Sequence, residues 1–106
     1  RELHFAGRIL DVHAHHLVDG AGIGAPLSAG EFRILKTLAE NPNRVMSRDQ
    51  LLDASSGREA GPFDRTVDVL ISRLRRRLGD DGSDHVLIKT VRSEGYMLAA
   101  LVERKT

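Results

Sequence analysis

The chain contains no cysteine and no tryptophan. Without thiols it has no disulfide framework and no thiolate zinc site, which suits the cytoplasmic location expected for it. No apolar run approaches the roughly 20 residues that span a bilayer. The opening Arg1-Glu2-Leu3-His4-Phe5 lacks the pattern of a secretory signal. It also lacks an initiator Met, so a longer chain is expected, with Arg1 as a cut point. Nucleophile elbows, glycine-rich phosphate loops and metal-binding helix motifs are missing as well. A core this small leaves little room for a substrate pocket. An enzyme is therefore not expected, nor is a cofactor.

What remains is an ordinary soluble balance, 41% hydrophobic and 29% charged over 106 residues, enough for one domain (1–106) with a modest core. The net charge of +1 carries little information, but its distribution carries more. Between Arg65 and Leu78 stand Arg65, Arg73, Arg75, Arg76 and Arg77 against the single acid Asp68, while Asp80, Asp81 and Asp84 gather just beyond. A basic helix on a nearly neutral domain is an electrostatic footprint for nucleic acid. A solvated helix face would look the same by charge alone.

The pattern along the chain predicts an α+β fold. Residues 1–27 alternate loosely between glycine-containing breaks, among them Asp19-Gly20. Short strands at 3–5, 9–13, 17–18 and 25–27 would form a four-stranded antiparallel sheet. Residues 28–78 read as a three-helix core. Ser28-x-x-Glu31 is a capping box, followed by Phe32, Leu35, Leu38 and Ala39 at helical spacing, and Pro42 stops that helix. Ser47-x-x-Gln50 opens a second, shorter helix with Leu51, Leu52 and Ala54. The third, 65–78, carries the apolar stripe Val67, Ile71, Leu74 and Leu78 and stops at Gly79. A β-hairpin over 86–102 turns at Ser93-Glu94-Gly95.

Two capped helices before a longer basic one suit a helix-turn-helix whose last helix enters the major groove. Opposite the apolar stripe, Thr66, Val69, Leu70, Arg73, Arg76 and Arg77 are expected to be exposed. Arg73 can bridge guanine O6 and N7, and Val69 or Leu70 can meet a thymine methyl. Arg65, Thr66, Ser72 and Arg76 would hold phosphates without reading sequence. At the hairpin tip, Arg92 can enter a narrow minor groove; the alternative is that it packs over Tyr96 or pairs with Glu94.

The run 65–78 resembles the third-helix signature of the OmpR/PhoB response-regulator output domains. Leu27-Ser28-x-x-Glu31-Phe32-x-x-Leu35 and Ser47-Arg48-Asp49-Gln50-Leu51-Leu52 look like their first two helix openings, and Thr90-Val91-Arg92-x-x-Gly95-Tyr96 like their wing. The resemblance implies a winged helix-turn-helix: an N-terminal four-stranded sheet, three helices and a hairpin wing. It implies promoter DNA as partner, a dimer on tandem sites, a receiver domain N-terminal to Arg1, and contact with RNA polymerase through the loop of Arg58, Glu59 and Phe63. It also implies base contacts at Val69, Arg73 and Arg92 and backbone contacts at Arg65, Ser72, Arg76 and Thr90. Two features depart from the family: Ser93 stands where its wing commonly has glycine, and the tryptophan often found near 54–56 is missing.

Two rivals belong beside that reading. His13 and His15 would share a strand face as metal ligands can, with His16 close by, although no cysteine or carboxylate motif completes a set; no metal is expected. A winged helix used for protein–protein docking would keep the fold and drop the DNA, and fold alone does not separate the two.

Overall fold

The computed structural model describes residues 1–56, 66–80 and 86–106. It opens with strands β1 (Glu2–Phe5), β2 (Arg8–Asp11), β3 (His16–Val18) and β4 (Gly24–Pro26). Ala6 and Gly7 join β1 to β2 with φ of 48° and 77°, the left-handed pair that a tight hairpin with right-twisted strands requires. Leu3, Phe5, Leu10 and Leu17 point inward from the sheet and are buried. The second strand is shorter than expected, ending at Asp11. Asp11 Oδ1 accepts the backbone N–H groups of His13 at 3.0 Å and Ala14 at 2.9 Å, which turns the chain before a strand can continue. Asp19 does the same for Ala21 and Ile23 at the β3–β4 turn.

The sheet has five strands rather than four. The hairpin expected over 86–102 ends its return strand at Leu98, and the chain then crosses back to the N-terminal sheet. There β7 (Glu103–Lys105) pairs antiparallel with β1, giving the order β4-β3-β2-β1-β7. Nothing in Glu103-Arg104-Lys105 alternates, because all three are exposed. Charges of this kind suit an edge strand, where they discourage pairing with another chain.

Both capping boxes form. Helix α1 (Ala29–Glu40) begins with the Glu31 N–H on Ser28 Oγ at 3.2 Å and the Ser28 N–H on Glu31 Oε1 at 3.0 Å. Helix α2 (Arg48–Ser56) repeats the exchange between Ser47 and Gln50. Phe32, Ile34, Leu35, Leu38 and Ala39 of α1, Leu51 of α2 and the whole α3 stripe form the core with the inner face of the sheet. Helix α3 (Thr66–Leu78) ends in a two-bond left-handed cap: Gly79, at φ 75°, donates to Arg76 O at 3.2 Å and Asp80 donates to Arg75 O at 2.7 Å. Arg8 of β2 adds Nε and Nη2 bonds of 3.0 and 2.6 Å to the Leu78 carbonyl, a cation where the helix dipole is negative.

The wing consists of β5 (Ile88–Val91) and β6 (Gly95–Leu98), paired from Ile88↔Leu98 to Val91↔Gly95. Two devices anchor it. The buried Asp80 carboxylate accepts the N–H groups of Leu87 and Ile88 at 3.1 and 2.8 Å, tying the wing to the end of α3. Met46 and Tyr96 exchange two backbone bonds of 2.8 and 3.0 Å, tying it to the start of α2. The second contact requires Gly95: at φ 146°, a Cβ there would lie 2.0 Å from Met46 O.

Replacing Gly95 with Ala should therefore push the wing off α2. The expected loss is about 3 kcal/mol, the upper end for forced overpacking. Gly7→Ala, with a left-handed φ but nothing within 4 Å of its Cβ, should lose only about 1 kcal/mol of backbone strain. Urea denaturation of both variants tests the ordering; equal losses would show that the Met46 contact does not constrain position 95.

Candidate nucleic-acid interface

Helix α3 separates its faces sharply. Val67, Ile71, Leu74 and Leu78 are buried, whereas Val69 (44% exposed), Ser72, Arg73, Arg76 and Arg77 face outward. The helical period thus puts one apolar side chain, Val69, among the cations. Leu70 does not join them. It was expected on the outer face as a base contact, but it is only 7% exposed. Its neighbours at i−3 and i+4, Val67 and Leu74, belong to the buried stripe, and across from it α1 offers Gly30. A Cβ on Gly30 would come within 2.9 Å of Leu70 Cδ1, so the missing side chain there is what admits Leu70. Of the remaining candidates, Arg65 and the Arg58, Glu59 and Phe63 loop lie outside the described residues, as does the side chain of Thr66.

A group of polar contacts holds α2, α3 and the wing together. Arg48, the first residue of α2, donates Nε to Asp68 Oδ1 at 3.0 Å, and the Tyr96 hydroxyl donates to the same oxygen. Two guanidiniums lie over the Tyr96 ring, Arg48 at 5.2 Å and Arg75 at 5.7 Å from its centre. Arg75 also donates Nε and Nη2 to Ile88 O at 3.1 and 2.7 Å, and Nη2 to Thr90 Oγ1 at 2.9 Å. The Tyr96 hydrogen bond, reinforced by Arg48, holds the Asp68 carboxyl below its ordinary range although burial opposes this. Burial, and then Asp68, push the Tyr96 phenol up. Sequence reasoning assigned no role to Arg48, Asp68 or Arg75. A lone acid in the first turn of an otherwise basic helix was the available signal.

Other cations carry no such duty. Arg73, Arg76 and Arg92 are exposed, and none makes a hydrogen bond or ion pair among the described residues. Arg92 neither pairs with Glu94 nor covers Tyr96, whose ring is taken by Arg48 and Arg75. Thr90 is exposed beside it on the wing. The tip keeps a tight turn with serine in place of glycine. Ser93 adopts φ 66° itself, and the Glu94 N–H closes onto Val91 O at 2.9 Å. Arg77 is different: its Nε lies 3.1 Å from Oε1 of the buried Glu31.

The histidines do not converge. His13 is exposed in the turn after β2, and His15 stacks on Phe32 with ring centres 3.7 Å apart. His16, on β3, lies where a Gly24 side chain would be. Among the described residues no three potential metal ligands form a group, and no helix is long and apolar enough to cross a membrane.

Comparison with known proteins matches residues 22–98 to the family described as transcriptional regulatory protein, C terminal. The regulatory protein VirG of Rhizobium rhizogenes is 44% identical over 100 residues, which are 94% of this chain and 42% of that protein. The transcriptional regulatory protein AruR of Pseudomonas aeruginosa is 42% identical over 96 residues, 91% of this chain and 38% of AruR. The chain thus spans about two fifths of the curated relatives it matches. Among solved structures, the Klebsiella pneumoniae RstA DNA-binding domain in complex with the RstA box superposes with a TM-score of 0.78 at 35% identity, covering 93% of this chain and 97% of that one.

The Asp68 contacts predict a pH effect. A carboxyl depressed in the folded state adds stability that is complete above its unfolded value near 3.8 and disappears as pH falls through the lower folded value. Wild type should therefore exceed Asp68→Asn in urea stability at pH 7, by less than about 1 kcal/mol because the pair is half exposed. The gap should narrow as pH falls below about 3.8. A gap independent of pH would rule out the depressed carboxyl.

Proposed function

The chain belongs to the family of OmpR/PhoB-type response-regulator DNA-binding domains, whose function is sequence-specific binding of duplex DNA in transcription control, and from this we propose how its own residues divide that task. Helix α3 lies in the major groove. Arg73 bridges the O6 and N7 acceptors of a guanine, and Val69, one turn earlier, packs on a thymine methyl. Ser72, Arg76 and Thr90 hold backbone phosphates together with Arg65 and Thr66, and Arg92 carries the wing tip into the neighbouring minor groove. The observation that supports this most strongly is the set of exposed arginines with no partner among the described residues, Arg73, Arg76 and Arg92. A merely solvated face would have no use for Val69 between them.

The longer protein, in this reading, is a cytoplasmic response regulator. Its receiver domain precedes this chain, it pairs on tandem sites, and it meets RNA polymerase through the loop containing Arg58, Glu59 and Phe63. The lack of catalytic motifs in the present chain agrees with a binding role for this domain. The relative RstA was solved on its box DNA, and the AdeR domain on an intercistronic region, so duplex DNA is the natural ligand to offer.

Fluorescence anisotropy against a pool of promoter duplexes, titrated across salt, tests the assignment. Affinity should fall steeply as salt rises, because bound cations displace counterions. Arg73→Ala should lose roughly 1–3 kcal/mol and relax base preference at one position. Binding indifferent to both salt and Arg73 would instead identify a protein-docking module on the same scaffold.

A further inference from the structure

The outer end of α3 carries an open cleft of about 300 Å³ lined, among the described residues, by Arg73, Arg76 and Arg77. Three guanidiniums on little more than one helical turn repel one another, and among the described residues one carboxylate lies within ion-pair distance of any of them. That carboxylate is Glu31, whose side chain is 2% exposed, against 38% for Arg77. Its Oε1 accepts the Ser28 N–H of the α1 capping box at 3.0 Å and forms an ion pair with Arg77, whose Nε lies 3.1 Å away. Glu31 is thus fixed by α1 before Arg77 reaches it, and it engages the inner nitrogen of the guanidinium. Arg77 is also one of the residues that line the cleft.

A buried carboxylate needs a cation, but need alone does not explain the geometry. A lysine would neutralise Glu31 as a point charge. An arginine held by Nε keeps its two terminal amino groups in a planar fork that suits a second oxyanion. Arg73 and Arg76 beside it make no ion pair among the described residues, so the three arginines exceed Glu31 by two positive charges there.

We infer that Arg77, oriented by Glu31, is a phosphate-contacting residue, and that Arg76 and Arg77 close on one backbone phosphate at the C-terminal end of α3. Arg73, one turn earlier, remains available for a base edge. The inference rests on α3 being the DNA-contacting helix. It adds Arg77 to the contacts expected from the sequence and gives Glu31 a positioning role beyond the capping box.

Because a phosphate contact is blind to sequence, a short mixed-sequence duplex is a sufficient probe. Its affinity is measured by anisotropy as log K against log salt for wild type, Arg77→Gln, Arg77→Lys and the double variant Glu31→Gln/Arg77→Gln. Glutamine can still donate to Glu31 but carries no charge. Arg77→Gln should make the slope shallower by about 0.9 and weaken binding about eightfold at about 0.1 M salt. Arg77→Lys should keep most of the slope. The double variant leaves no unpaired buried charge, so it should show the same loss of slope if Arg77→Gln alone does not fold. A wild-type affinity independent of salt would remove the DNA-binding reading itself. A steep wild-type slope unchanged in the Gln variant, or in the double variant where that one is used, with only a lower melting temperature, would overturn the inference and leave Arg77 as the counter-ion of Glu31.

Discussion

Tyr96 is the point at which the wing, α2 and α3 meet, and the geometry of the interface depends on it. Its backbone exchanges two hydrogen bonds with Met46, its hydroxyl donates to Asp68, and its ring lies beneath Arg48 and Arg75. The magnitudes show which of these matters for what. A half-exposed ion pair contributes under about 1 kcal/mol, and a half-exposed cation over a ring about as much. Burying most of an aromatic side chain is worth roughly 2–3 kcal/mol, and Tyr96 is 5% exposed. Burial therefore holds the ring in place, while the polar contacts set the direction in which α3 and β5 leave it. A small net energy is enough for that, because each contact joins a different element to the same side chain.

The arginines follow from that arrangement. Arg8 closes the end of α3, Arg48 and Arg75 frame Tyr96, and Arg77 meets Glu31. Arg73, Arg76 and Arg92 are exposed and make no hydrogen bond or ion pair among the described residues. Net charge hides this division, since an arginine satisfied by a carbonyl and one offered to solvent count equally. Holding unpaired cations close together on one helix destabilises a free domain slightly and favours an anionic partner strongly, as in a site whose ligand supplies the missing charge.

What could be read in the sequence was local. The capping boxes at Ser28 and Ser47, the stripe from Val67 to Leu78 and the stop at Gly79 each involve residues within a few positions of one another, and each forms. What could not be read depends on a distant partner. Leu70 looks exposed until Gly30 is placed opposite it. β7 has no pattern of its own because its only neighbour in the sheet is β1, some hundred residues earlier in the chain. Val69, Arg73 and Arg92 stand exposed where DNA-contacting residues were expected, whereas Arg75, equally basic, turns inward to the wing. That choice is made by the Ile88 carbonyl and Thr90, which lie outside the helix.

The fastening of α3 to the wing also bears on recognition. Arg75 spans from the helix to β5, and Asp80 spans from the helix end to the start of the same strand. In the proposed reading, Arg73 and Arg92 stand on elements fastened to each other by Arg75 and Asp80, so duplexes whose groove spacing already fits gain affinity at positions no side chain touches. Ser93 holds a left-handed φ that disfavours any side chain, and Glu94 stands beside Arg92 with opposite charge. An arginine carried there is attracted to the groove less strongly than one at a purely basic tip. Discrimination by this domain should therefore rest more on α3 than on its wing.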